Sequence, residues 1–206
     1  MSIIESVKNE VMLLSEKFAS EADDKYDFWD EHIRYVVQEA LVLAERYKAD
    51  SEIVELAAML HDVALVSKIG TRENHHETGA EISKAMLSKY NYPQVKADKV
   101  ISCVKNHRSS KNCNEIEEIC VADADVLAHF RNIPLLFKSA FKRLDKDFTL
   151  NDLRDTMKEY FERDYNDLSD RTKQDFSDRY KIICQIVLGD EHSYRTAVQN
   201  KPSRGD

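Results

Sequence analysis

Six positions in this 206-residue chain carry side chains able to share a cation: His32, His61, Asp62, one of His75 and His76, His107 and Asp125. Imidazole nitrogen combined with carboxylate oxygen suits Mn, Fe, Co, Ni or Zn, and Mg where carboxylates and water dominate. Two of the six are adjacent, His61 and Asp62, inside the apolar stretch "AAMLHDVAL" at residues 57–65. An ionised carboxylate buried without a partner is costly. A divalent cation satisfies both side chains at once. For a doublet taken alone, the competing reading is a plain His–Asp hydrogen bond in a helix core.

The elements that must position these residues read as helices. Ile3, Ile4, Val7, Val11, Leu14 and Phe18 recur at helical spacing. After the polar break "ASEADDKYD", Asp30 is the expected cap of a second helix. That helix carries His32 in its first turn and Ile33, Val36, Val37, Ala40, Leu41 and Ala44 on one face. Residues 52–66 are apolar nearly all round, as one central buried helix would be, with the doublet near its end. "SKIGTREN" reads as a loop. Further helices are expected over 75–90, around Val95–Val104 with His107 at the end, and over 115–130, closed before Pro134. Three more amphipathic stretches follow near 134–145, 150–166 and 172–188, the last striped by Phe176, Tyr180, Ile183 and Val187. There is no convincing period-2 run and no internal repeat. Helix ends let side chains converge without clashing backbones, and neighbours about 100° apart can still grip an ion lying at the helix edge.

Composition agrees with this reading. Hydrophobic residues make up 42% and charged residues 33%, which is a globular balance. Only four glycines and three prolines are present, too few for many tight turns, so the chain should be mostly helical. A formal net charge of −8 argues against an extended nucleic-acid surface but leaves room for a local basic pocket. Cys103, Cys113, Cys120 and Cys184 form no CxxC pair and read as reduced thiols. The start "MSIIESVKNEVML" lacks the basic-then-apolar pattern of a signal peptide. No apolar run approaches the roughly 20 residues of a membrane span. A cytoplasmic, unanchored protein is expected.

The flanks of the doublet narrow the chemistry. "AAMLHDVAL" resembles the HD superfamily of metal-dependent phosphohydrolases, whose typical stretch ends in "LLHDIGK"; here Leu65 stands where the lysine usually is. "EHIRYVVQEALVLAERY" is similar to the family's first helix, with His32 in the histidine place and Arg34 one residue early. "HHETGAEISKAML", "VISCVKNHRSS" and "VADADVLAHF" resemble the later motifs in order, and "FSDRYKIICQIVLG" carries a weaker likeness. The match spans roughly residues 28–131.

The resemblance implies an all-α HD-domain helical bundle with a C-terminal helical extension. It divides into a core with its N-terminal helix at 1–133, an extension packed on it at 134–190, and a flexible tail at 191–206. It makes His32, His61, Asp62 and Asp125 the ligands of a one-metal site, and His75 and His107 the extra ligands of a two-metal site. His75 is preferred to His76 because it lies four residues before Gly79. Asp125 is preferred to Asp123 because it falls in "ADVL", and on a helix the two point about 200° apart. Asp123 is then expected to be solvated or to support the site from behind. His129 and His192 fit no motif position and read as ordinary histidines. Asp62 is the expected catalytic residue, holding a proton from attacking water. Among Lys68, Arg72, Lys105 and Arg108, the two arginines are the expected phosphate contacts, with Lys68 and Lys105 read as surface charges. The implied activity is hydrolysis of a phosphoester or phosphoanhydride, of a small phosphorylated substrate such as a nucleotide, with one or two divalent ions. Three alternatives stay open: a di-iron oxygenase of the same fold, a metal- or nucleotide-binding domain without turnover, and a purely structural helical protein. The oligomeric state is not legible.

Overall fold

Ser2 starts the first helix with a capping box: its hydroxyl accepts from the Glu5 amide, and the Glu5 carboxylate accepts from the Ser2 amide. The computed structural model describes residues 2–23 and 25–189. In chain order the α-helices are α1 (Ile3–Glu21), α2 (Arg34–Tyr47), α3 (Ser51–Leu60), α4 (Val63–Val66), α5 (His75–Lys89), α6 (Gln94–Asn106), α7 (Ile116–Arg131), α8 (Ile133–Arg143), α9 (Leu150–Asp167) and α10 (Asp170–Leu188). No strand occurs among the described residues, so the fold is all-α. The expected tail at 191–206 lies outside the described residues, as does His192.

Each helix start has a local cause. Asp50 accepts from the Glu52 and Ile53 amides and opens α3. Thr149 and Asp152 form a capping box for α9, and Ser169 caps α10. Lys48, at φ 62°, ends α2 in the left-handed region. In the loop before α5, Gly70 has φ +80°, and a side chain there would run into Asn74 and Thr78.

Two expectations change. The cap ahead of α2 is Asp27, whose carboxylate accepts from the Asp30 amide at 3.0 Å; Asp30 lies inside the first turn. That turn, Trp29–Ile33, is a π-helix that runs straight into α2, and it carries His32. The apolar segment 52–66 is not one helix either. It breaks at the doublet, where Asp62 takes φ −105°, ψ 15° between α3 and α4. The apolar pattern runs through the break and hides it, because both halves are buried.

α3 is the centre of the molecule. Its Ile53, Val54 and Leu56–Leu60 are all buried, and it packs against α1, α2, α6 and α7. α2 and α7 lie along each other, and α5 pairs with α6. α9 packs on α7, α8 and α10. Met157 and Phe161 of α9 and Phe176 of α10 join the same hydrophobic core as α3. Phe130 of α7 meets the rings of Phe161 and Phe176 at 5.4 and 5.1 Å. No helix among the described residues is long and apolar enough to cross a membrane.

Candidate metal centre

Three histidines are oriented the same way by their own helix ends. His61, the C-cap of α3, donates from Nδ1 to the carbonyl of Ala58 at 2.7 Å. His107, the C-cap of α6, does so to Val104 at 2.6 Å. His75, the first residue of α5, does so to Arg72 at 2.7 Å. A carbonyl oxygen only accepts, so each Nδ1 carries a proton, and in the neutral ring each Nε2 presents a bare lone pair. Backbone-fixed tautomers of this kind are how metal-binding imidazoles are held.

These lone pairs converge. His75 Nε2 and His107 Nε2 are 3.1 Å apart, and His32 Nε2 and His61 Nε2 are also 3.1 Å apart. Asp62 lies between the two pairs. Its Oδ1 faces His75 at 3.3 Å and His107 at 3.9 Å, and its Oδ2 faces His61 at 3.6 Å and His32 at 3.8 Å. Asp125 closes the second group, with Oδ1 3.1 Å from His32 and 3.8 Å from His61. Two imidazole nitrogens 3.1 Å apart repel unless a cation or a proton sits with them. The donor set therefore fits divalent cations, in two groups that share Asp62: His32–His61–Asp62 and Asp62–His75–His107.

The electrostatics follow from this crowding. Burial pushes the Asp62 carboxyl up, but the charges of His61 and His32 outweigh it and hold the group below its ordinary value. Asp125 is likewise raised by burial, yet the His32 hydrogen bond and His61 hold it well below the carboxylate range. His107, only 2% exposed, is pushed down by burial to about 4 and stays neutral.

All six expected ligands thus meet at one place, and five of them line a cavity of about 620 Å³ while His61 lies fully buried beneath it. Arg72 and Arg108 both line that cavity. Arg108 is steadied by donating to the Glu73 carbonyl at 2.8 Å. Lys68 pairs with Glu21 at 2.7 Å, Lys105 is exposed, and neither they nor His76 line the cavity. Asp123 points the other way, but not to solvent. It is fully buried, and it accepts from the Ser169 amide at 2.8 Å and the Ser169 hydroxyl at 2.5 Å, tying α7 to the start of α10.

The sequence reading missed His129. It lines the cavity, its ring stacks on His32 with centroids 5.7 Å apart, and it lies within ligand reach of His32 and Asp125. Its Nδ1 faces Asp164 Oδ2 on α9 at 2.9 Å. Burial would lower the His129 pKa, but the Asp164 hydrogen bond and charge raise it. The signal was present, because His129 follows Asp125 by four residues and so shares its helix face. Tyr26, Lys138, Lys142, Tyr160 and Arg163 also line the cavity and belong to no motif.

Comparison with known proteins completes the picture. The HD domain family model matches residues 29–129. A comparison with the curated proteins finds no match. Two crystal structures share the fold. One, an HD-superfamily hydrolase from Bacillus thuringiensis, is 18% identical with a TM-score of 0.62, over 97% of this chain and 100% of that one. The other, a predicted HD superfamily hydrolase from an uncultured Thermotogales bacterium, is 21% identical with a TM-score of 0.52, over 74% of this chain and 84% of that one. The break that sets the His61–Asp62 doublet between two buried helices lies inside the matched stretch, and residues 29–129 of this chain form an HD domain.

Proposed function

We propose that this chain is a metal-dependent phosphohydrolase that cleaves a phosphoester or phosphoanhydride bond, with nucleotides as the substrate class. One observation carries the reading. Bare imidazole nitrogens and two carboxylates form the floor of a cavity whose other charged lining groups are Arg72, Arg108, Lys138, Lys142 and Arg163. His32, His61, Asp62 and Asp125 would hold one ion, and Asp62, His75 and His107 a second. Divalent ions bound there bring the pKa of coordinated water towards neutrality and polarise a phosphoryl oxygen.

The chain's own groups do the rest. Arg72 and Arg108 offset the charge of a phosphate and orient it through charge-assisted hydrogen bonds. Asp62 can hold a proton on whichever oxygen is not engaged. His129, fixed through Nδ1 by Asp164, also faces the cavity and would exchange a proton with a substrate oxygen there. Phe18, Tyr26 and Phe28 form an edge-to-face cluster on the cavity wall, a surface suited to a nucleobase.

The test is metal analysis of the purified protein, then a screen of phosphorylated nucleotides with Mn, Co, Ni and Mg. Release of phosphate that depends on added metal is expected. A metal-loaded protein that hydrolyses none of them would falsify the reading. The same six-residue set also suits the di-iron oxygenase alternative, and dioxygen uptake by the iron-loaded protein would select it instead.

A further inference from the structure

The cavity has two basic sides, and only one of them belongs to the motif segments. Arg72 and Arg108 flank the ligands His75 and His107. Lys138 and Lys142, four residues apart on one face of α8, and Arg163 on α9 supply the cations contributed by the C-terminal helices. We propose that this α8–α9 wall is a second anion subsite. It takes an anionic group of the substrate other than the one being hydrolysed, so the preferred substrate carries two separated anionic groups. The proposal rests on the phosphohydrolase reading and narrows it.

Charge distribution is the first argument. The chain has 38 acidic against 30 basic residues, yet among the described residues the cavity is lined by five Lys and Arg and by two carboxylates. Both carboxylates, Asp62 and Asp125, face imidazoles in the centre. A single phosphate at the centre would meet Arg72 and Arg108 and leave the second set of cations without a role.

The second argument is that these cations are anchored rather than loose. Lys138 Nζ lies 3.2 Å from Glu31 Oε2 and 5.2 Å from the centre of the Tyr26 ring. Arg163 donates from Nε and Nη2 to one oxygen of Asp164, at 2.8 and 2.6 Å. Asp164 shares its charge with His129, so it offsets Arg163 only in part. A guanidinium has five donors, and the Asp164 contact uses two of those of Arg163. The Lys138 side chain is 33% exposed and that of Arg163 55%, so a ligand can reach both. Leu135, Leu136, Tyr160 and His129 line the same cavity, a surface for the body of a substrate rather than for a third charge.

The test uses the manganese-loaded full chain and two probe series: α,ω-alkanediol bisphosphates of increasing length, and alkyl monophosphates of matching length. Binding is read by calorimetry and hydrolysis by phosphate release. At the best length the bisphosphate should bind about tenfold or more tightly than its monophosphate, the worth of one or two charge-assisted hydrogen bonds. The Lys138→Gln/Lys142→Gln double variant should bring the two series within about twofold. Lys138→Arg/Lys142→Arg should keep the preference, which separates lost charge from lost structure. Equal binding of both series by the unaltered chain, or a preference that survives the glutamine variant, overturns the subsite. If the preference is present and is lost in that variant, but neither series releases phosphate, the subsite stands and the phosphohydrolase reading fails.

Discussion

His61 and Asp62 have no substitute in the centre, because one supplies a backbone-fixed lone pair and the other the only carboxylate that faces both groups of imidazoles. His61→Ala or Asp62→Ala should therefore abolish bound metal, read by metal analysis, and hydrolysis with it. The two aspartates of "VADADVL" should separate cleanly. Asp125→Asn should lower metal affinity by more than the about 10–100-fold that losing a supporting partner costs. Asp123→Asn should keep its metal but lose about 1–3 kcal/mol of stability, because the buried Ser169 amide and hydroxyl lose their charged acceptor. If Asp123→Asn is the variant without metal, the assignment moves by two residues. That the six expected residues cluster was legible because each sits in a motif, and all but Asp125 lie at or beside a helix end. For His129 the spacing from Asp125 placed it on the same helix face, but its partner Asp164 on α9 is 35 residues away and no local pattern announces that pair.

At the scale of elements, helical periodicity placed every long helix but missed the two irregularities that aim the ligands. A π turn and a two-residue break leave the apolar pattern intact, so only backbone geometry shows them. The start of α7 gives a test of pH dependence. Glu118, 3% exposed, accepts from the Ser102 hydroxyl, the Asn106 amide group and the backbone amides of Asn114 and Glu115. Burial pushes its carboxyl up, but these donors, Ser102 first, outweigh it and hold the pKa below the ordinary 4.5. A depressed folded pKa means that the stabilisation is fully present above pH 4.5 and is lost as pH falls through the lower folded value. Glu118→Gln should cost about 1–3 kcal/mol near neutrality. Melting curves of the two proteins should draw together as pH falls below 4.5. A gap that stays constant with pH would show that the carboxylate charge contributes nothing.

For the whole molecule, the crowded centre makes metal a structural ligand as well as a reactive one. Metal at about a hundred times its Kd should add about 2.7 kcal/mol. For a chain of this size that is a rise in Tm of about 5–10 °C. The shift should vanish in His61→Ala and on adding chelator to the wild-type protein. Phe161→Ala should cost about 3–5 kcal/mol, because Phe161 is fully buried in a core shared by α7, α9 and α10. The order of the parts along the chain has a consequence for synthesis. Every expected ligand precedes residue 126, whereas Lys138, Lys142 and Arg163, which line the same cavity, come later. On the ribosome the expected ion-gripping residues emerge first, so a nascent chain has that whole set before the proposed anion-binding wall.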